Sequence, residues 1–401
     1  MADIFVLGAG VVGMTSAYFL ARKGHAVTVI DAGSAPAEQG ASFGNGAQLS
    51  YSYTDALASP SLVRNLPKYL VGCDPAFRFS PTLSVSFLSW ARVFLANASK
   101  ATFENNTIEV LKLAMESRQG FAEIEGKIDF DHRRAGKLNL YSTLQGVRDA
   151  KALSRLKNAH GAQQVMLTPP EAIAREPALA AYGHPFVGAL WSPLDEVGDP
   201  HRFCLNLRQL LQDEYGVAFR FDTRILGLQT HLGKLVAVQT DQGELAGGRA
   251  VIALGVTSAD IAKTVGIKLP IWPMQGYSMT IPATALAPEA SITDTSRKVV
   301  FCRLGDGLRI AGLADIGPRN GRFNQQRFNR LLDVAKGIFP EAGDYGAELQ
   351  GWTGYRPMTP NSVPIVDKSK VDGVFLNCGH GSLGWTLSMG AASRLAEIVP
   401  R

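Results

Sequence analysis

The residues that most restrict what this chain can fold into are Gly8-Ala9-Gly10-Val11-Val12-Gly13, set directly behind the apolar run Ile4-Phe5-Val6-Leu7. A second apolar run, Val27-Thr28-Val29-Ile30, closes on Asp31 and Ala32. The spacing predicts a strand, a tight turn, a helix from Val12 to about Lys23 and a second, parallel strand. Each glycine has its own reason. Gly8 lets the strand end in a tight turn, Gly10 lets a pyrophosphate approach bare backbone, and Gly13 lets the helix lie close against the strand. The helix N-terminus stabilises phosphate charge, and the Asp31 carboxylate accepts from ribose hydroxyls. The unit predicts dinucleotide binding; nicotinamide and flavin dinucleotides both fit at this point.

With 401 residues the chain exceeds what one core usually carries, so two domains are expected. Hydrophobic residues at 46% and charged residues at 19% exclude a disordered or fibrous protein. The formal charge of +5 is dispersed and forms no basic run, which argues against nucleic acid and favours at most an anionic substrate or an anionic membrane surface. Cys73, Cys204, Cys302 and Cys378 lie far apart without a CxxC, so no metal site is expected and the thiols read as buried in a reducing compartment. No secretory leader is evident and no apolar stretch reaches the ~20 residues that span a bilayer. The expected location is cytoplasmic.

Gly40 to Gln48, rich in Gly, Ala and Ser, reads as a loop lying against a ligand, with a short strand over Leu49 to Tyr53. Leu62 to Ala98 is broken by prolines and concentrates aromatics. Helices are expected at about Ser86 to Ala98, Thr107 to Glu125, Gln145 to Asn158, Pro200 to Tyr215 and Asn324 to Ile338, and strands at Lys137 to Tyr141, Ala218 to Phe221, Leu235 to Thr240, Ala250 to Leu254, Tyr277 to Ile281, Val299 to Arg303 and Leu308 to Gly312. Near the end, Phe375-Leu376-Asn377-Cys378 enters Gly379-His380-Gly381, and an apolar helix follows from about Leu383 to Ile398. This is a second glycine-flanked turn from strand to helix. Its helix N-terminus would stabilise another electron-rich group. Two such turns suit a cofactor gripped at both its pyrophosphate and its reactive ring, and FAD meets that requirement best.

Taken together these segments resemble the FAD-dependent D-amino-acid oxidoreductase superfamily, in particular its bacterial D-amino acid dehydrogenase branch, over nearly the whole chain. The resemblance rests on Val6 to Asp31, Gly40 to Ser50, Glu196 to His201, Val251 to Gly255, Tyr355 to Pro360 and Asn377 to Thr386. It implies an α/β fold, α+β overall. The discontinuous Rossmann-like FAD-binding domain would comprise residues 1–60, 196–270 and 350–401. A substrate domain with a mainly antiparallel sheet and covering helices would comprise 61–195 and 271–349. It further implies that Gly8 to Gly13, Asp31 and Ala32 hold the ADP half. Ser42, Asn45, Gly46, Ala47, Gln48 and Leu49 would pass under the ring system. Ile225, Ala253, Leu254 and Gly255 would lie near the nucleotide, and Gly379, His380, Gly381, Ser382, Leu383, Gly384, Trp385 and Thr386 would meet the pyrimidine side.

In the same resemblance Arg356 binds the substrate carboxylate, for which a guanidinium offers two parallel hydrogen bonds. Tyr277 and Tyr53 are candidates to line the reaction site. His380 belongs to the loop that contacts the flavin and is not read as a general base, and Trp385 is read as packing. The implied reaction is dehydrogenation of a D-amino acid by hydride transfer from Cα to flavin N5, giving an imino acid and then a 2-oxo acid and ammonia. A quinone or another respiratory-chain component is the implied acceptor, and the aromatic segment with Arg64, Lys68, Arg78 and Arg92 reads either as an ordinary insertion covering the substrate domain or as a peripheral contact with the inner face of the cell membrane. The alternatives are a D-proline or D-hydroxyproline dehydrogenase, a glycine or sarcosine oxidase-like enzyme, and an FAD-binding subunit of an electron-transfer complex. Departures from the common pattern at Gly44, Tyr355, Asn361 and Ser388 to Ala392 leave the substrate's size open.

Overall fold

A computed structural model describes residues 3–400 of the chain apart from residues 71–73, 75, 81, 320, 348 and 350. Cys73, Pro75 and Pro81 therefore lie outside the described residues. The chain adopts the expected mixed α/β architecture.

Apolar runs rich in β-branched residues decide the first layer. Ile4, Val6, Leu7, Val27, Val29, Ile30, Val251 and Ile252 are all buried; strands buried on both faces pair in parallel beneath covering helices. Six strands follow the order Ile365–Lys368, Val374–Cys378, Ala250–Ile252, Asp3–Leu7, Ala26–Ile30 and Ala218–Arg220. Only the outermost, Ile365–Lys368, is antiparallel to its neighbour. On one face helix Val11–Arg22 packs against helix Gly384–Ile398, which in turn packs against helix Lys100–Ile124. Polar pins fix their register: Thr15 Oγ1 donates to the Ser388 carbonyl at 3.1 Å, and Asn377 Nδ2 donates to Ser16 Oγ at 2.8 Å. The other face carries the three-stranded sheet Ile225–His231, Lys234–Thr240 and Gly243–Ala246, together with helix Ser258–Lys263.

The second layer is a nine-stranded, largely antiparallel sheet. Its path runs Trp352–Met358, Trp272–Pro282, Gly307–Ile316, Val299–Leu304, Ser291–Asp294, Lys137–Tyr141, Gly188–Ser192 and Val165–Leu167, with Phe77–Phe79 pairing beside Gly307–Ile316. Helix Gln325–Ile338 covers one face through Phe328, Leu331, Ala335 and Ile338, which are spaced to fall on one stripe. Asn324 caps that helix by accepting from the Arg327 amide at 3.0 Å.

The packing departs from the expected division of the chain in two places. Helix Lys100–Ile124, placed by sequence in the substrate domain, shares a core with Ile4, Val6 and Trp385 through Val110, Leu113 and Phe121. Strand Trp352–Met358, placed by sequence in the FAD-binding domain, pairs along Trp272–Pro282 in the nine-stranded sheet. The strand expected over Leu49 to Tyr53 shrinks to Gln48–Leu49, antiparallel to Glu196–Val197. Tyr51 instead turns into the core, where its hydroxyl donates to Glu196 Oε2 at 3.1 Å.

Close helix packing depends on Gly390. Its amide donates to Ser117 Oγ at 2.9 Å, and a Cβ there would lie 2.6 Å from the Leu113 carbonyl oxygen. Gly390→Val is therefore expected to force the two helices apart at a cost on the order of 3 kcal/mol. Chemical denaturation followed by circular dichroism checks this; an unchanged midpoint would contradict it.

Candidate active site

One elongated cavity of about 910 Å³ runs between the carboxyl ends of the parallel strands and the face of the nine-stranded sheet. The turn after the first strand closes one end. Gly8 has φ +105°, and a Cβ on it would approach the Ala253 carbonyl oxygen to 2.7 Å. A Cβ on Gly13 would lie 1.8 Å from the Gly8 carbonyl oxygen, so these two glycines serve helix and strand packing. Gly10 differs. A Cβ there would meet only Ser42 Oγ, at an ordinary 3.4 Å, and Gly10 lines the cavity, so what its missing side chain leaves open is ligand space. Of the first amides of helix Val11–Arg22, which have no acceptor within the helix, Val11 N donates to Ser42 Oγ at 3.1 Å.

Asp31 lines the same end and is tied down by backbone: Oδ2 accepts from Ala9 N at 2.7 Å and Oδ1 from Gly33 N at 2.8 Å. Burial raises its pKa, against the lowering effect of those two amides. Each carboxylate oxygen keeps a further lone pair for a hydroxyl donor. Val12, Ala32, Ile225, Ala253, Leu254 and Gly255 also line the cavity. Ala9 does not, acting through its amide on Asp31.

The loop Gly40 to Gln48 runs along the middle, held by Ser278 Oγ donating to the Gly44 carbonyl at 2.7 Å and Arg309 Nη1 donating to the Asn45 carbonyl at 2.6 Å. Ser42, Asn45, Gly46 and Gln48 line the cavity, whereas Ala47 and Leu49 are packed away from it. The turn after strand Val374–Cys378 closes the middle from below, with Gly379 at φ +76° and Gly381 at φ +57°. Gly379 through Trp385 all line the cavity, but Thr386 works from behind: its Oγ1 accepts from Ser50 N at 2.9 Å. Trp385 donates to the Gly198 carbonyl at 3.1 Å and is wedged among Phe121, Phe130 and Phe203. His380 is buried, its Nε2 has no partner among the described residues, and burial pushes its imidazole down to about 3. It is neutral at physiological pH and already stripped of the proton a cationic acid would need.

The face of the nine-stranded sheet supplies the third wall. Arg356 lies opposite Met274 in the ladder, and its guanidinium occupies the space that Gly276 leaves: a Cβ on Gly276 would be 2.5 Å from Nη2. Nη1 donates to the Leu313 carbonyl at 3.0 Å, which fixes the fork while leaving further donors for a ligand. Burial draws its pKa down to about 10, so it remains a cation at neutral pH. Tyr277 is buried against Phe323, with ring centroids 6.0 Å apart, and it reaches the cavity wall. Tyr53 also lines the cavity, and burial raises its pKa. Tyr51, two positions earlier, does not.

Lys137 lines this wall and was not singled out by sequence. The available signal was the alternation Lys137-Leu138-Asn139-Leu140-Tyr141: both leucines enter the sheet's core and leave a polar face opposite. Trp352, Thr353, Thr293, Thr295 and Lys298 are further lining residues without a motif of their own.

With this geometry in place, residues 3–398 match the sequence profile of FAD-dependent oxidoreductases. The chain belongs to that family. Among its relatives are a D-amino acid dehydrogenase 2 of Ralstonia nicotianae, 36% identical over 411 residues covering 100% of this chain and 96% of the relative, and a D-amino acid dehydrogenase of Vibrio cholerae, 35% identical over 409 residues covering 100% and 95%. The fold matches glycine oxidase from Bacillus cereus with a TM-score of 0.74 at 18% identity, covering 99% of this chain and 97% of that one. It matches L-proline dehydrogenase from P. horikoshii with a TM-score of 0.73 at 19% identity, covering 99% and 92%. The protein is thus an FAD-dependent oxidoreductase, and its cavity suits the cofactor: the open side of Gly10 and the turn at Gly379 to Gly381 face one continuous space.

The buried His380 makes stability depend on pH. In the unfolded chain its pKa is near the ordinary value of about 6.5, so above that pH neither state binds the proton. Below it the unfolded chain takes up a proton that the fold excludes, and stability is lost as pH falls from about 6.5 towards the folded value of about 3. His380→Asn should flatten that loss by up to about 1.4 kcal/mol per pH unit, read from denaturant melts between about pH 6.5 and 4.5. Parallel curves for the two proteins would contradict the assignment.

Proposed function

We propose that this FAD-dependent oxidoreductase dehydrogenates the Cα–N bond of D-amino acids. The observation that carries the reading is the Arg356 guanidinium, lodged against Gly276 in the same cavity as the two glycine-flanked turns. The relatives named D-amino acid dehydrogenase support the substrate class and its enantiomer. Bound FAD supplies the hydride acceptor. The chain supplies position and charge. Arg356 grips the carboxylate and fixes which atoms of the substrate face the cofactor, converting binding energy into orientation. The Leu313 carbonyl limits the guanidinium's rotation, and Tyr277 and Tyr53 shape the space around the reacting carbon. The helix beginning at Gly384 directs its N-terminus at the cavity and favours negative charge there. The substrate loses a hydride from Cα and a proton from nitrogen; the imino acid then takes up water to give a 2-oxo acid and ammonia. In this reading Gly8, Gly10, Val11, Val12, Asp31 and Ala32 hold the ADP half, and Ser42, Asn45, Gly46 and Gln48 with Gly379 to Leu383 hold the ring system.

A lipid-soluble acceptor such as a quinone fits the surface beside this site. Helix Pro60–Leu70 has no buried residue, and Leu83 and Val85 are 91% and 83% exposed at the start of helix Val85–Ala96. Arg64, Lys68 and Arg92 lie on these helices, and Asp74, the one acidic residue between Asp55 and Glu104, is paired with Lys298 at 2.6 Å. Apolar side chains among cations that make no ion pair among the described residues suit an anionic bilayer surface. Among the described residues no helix is long and apolar enough to cross a membrane.

Two outcomes follow. Arg356→Leu should retain its flavin spectrum while its KM for D-amino acids rises by roughly two orders of magnitude, matching about 3 kcal/mol for a lost charged contact; an unchanged KM would remove the arginine from the site. In vesicle co-sedimentation, the protein should bind vesicles containing anionic lipid, and Leu83→Ser with Val85→Ser should release it. Equal recovery of both proteins with the vesicles would overturn the membrane contact.

A further inference from the structure

The cavity's ionisable lining differs between its two sides. Asp31, Asp260 and Arg224 lie at the dinucleotide end, whereas the nine-stranded sheet contributes Lys137 and Arg356 from its strands and Lys298 from the turn before strand Val299–Leu304. Lys298 is compensated by Asp74 at 2.6 Å. Lys137 is not compensated in this way. It is 1% exposed, and its Nζ donates to Gln48 Oε1 and Ser50 Oγ, each at 2.9 Å, while standing 4.4 Å from the centroid of the Tyr53 ring. All its contacts are neutral, and it makes no ion pair among the described residues. Asp195, buried with Oδ1 accepting from Ser52 N at 2.7 Å and Oδ2 unpartnered among the described residues, is the carboxylate that most favours the Lys137 charge but makes no ion pair with it, and Asp55 is paired with Lys157 at 2.7 Å.

Burial pulls the Lys137 ammonium down to about 8, which still leaves it mostly charged at neutral pH. A buried cation held by neutral groups is costly unless an anion joins it. Two positions along the same strand face, Asn139 does not line the cavity but is fully buried with neither amide atom partnered among the described residues. Thr293 and Thr295 line the wall on the adjacent strand and its end.

We propose that Lys137 is a specificity-determining residue that receives the side-chain carboxylate of an acidic D-amino acid while Arg356 holds the α-carboxylate. The inference rests on the D-amino acid reading and narrows it to dicarboxylic substrates. Lys137 and Arg356, the lining cations of this wall that make no ion pair among the described residues, match the two carboxylates of such a substrate. The neutral groups around Nζ position the ammonium without quenching it.

The test compares D-glutamate with D-glutamine, and D-aspartate with D-asparagine, on the FAD-loaded enzyme with an artificial electron acceptor. Wild type should favour each acid over its amide by at least about tenfold in kcat/KM, the size of a charge-assisted contact. Lys137→Met should collapse that ratio towards one, chiefly through KM, and Lys137→Arg should restore part of it. A structural role for Lys137 would lower stability or flavin content but leave the ratio intact. If Lys137→Met does not fold, competitive inhibition of wild type decides: glutarate should outcompete its monoamide by a similar factor, and equal inhibition would overturn the proposal. Wild type that oxidises amide and acid equally well, or a Lys137→Met protein slowed equally on every substrate, would also overturn it. A flavin-loaded enzyme that oxidises no D-amino acid at all would instead refute the underlying function.

Discussion

Parallel pairing of strand Asp3–Leu7 with Ala250–Ile252, and of Ala250–Ile252 with Val374–Cys378, is the constraint from which the rest follows. The registers Leu7 with Ile252 and Ile252 with Leu376 bring three strand ends to one level, so Gly8, Ala253 and Gly379 open on the same space although hundreds of residues separate them in sequence. Ligands in open parallel sheets bind beyond the carboxyl ends of the strands, where helix N-termini converge. Here two helices, starting at Val11 and Gly384, point their amide ends at one cavity while packing against each other through Thr15 and Ser388. Stability and cofactor geometry therefore share the same contacts.

The nine-stranded sheet completes the site with electrostatics. Placing a guanidinium inside a protein is unfavourable unless something in the site repays its lost hydration. Arg356 meets one carbonyl and the gap left by Gly276, so its remaining donors stay available to a carboxylate. Asp31, Asp260 and Arg224 thus line the parallel-strand side of the cavity, and Lys137, Lys298 and Arg356 the opposite wall. The neutral His380 between them adds polarity without charge.

Much of this was legible in sequence because it depends on local chemistry. Gly8, Gly13 and Gly379 are required by a positive φ or by backbone contact closer than a side chain permits, and such requirements leave a glycine in the sequence. Helix starts at Ser84, Asp199 and Asn324 announce themselves through caps. What was not legible depends on register across the chain. Tyr51 and Tyr53 differ by two positions and suggest one strand face, but the chain leaves its ladder after Leu49, so one enters the core and the other the cavity. Ala47, Leu49 and Thr386 sit within motifs that touch the cavity yet support it from behind. Lys137 carries no motif, and only the pairing of its strand with Ser291–Asp294 reveals that its polar face belongs to the site. Helix Lys100–Ile124 joined the other core because Gly390 allows it to approach the last helix.

Anaerobic titration of the purified, flavin-loaded protein with single enantiomers of amino acids tests the central claim most directly, because the oxidation state of the bound flavin is read by its own absorbance. The D-enantiomer is expected to bleach the flavin completely and stoichiometrically, with ammonia and the 2-oxo acid appearing in equal amounts, while the L-enantiomer leaves it oxidised. A flavin that stays oxidised with every D-amino acid, or is reduced faster by the L-enantiomers, would contradict the account.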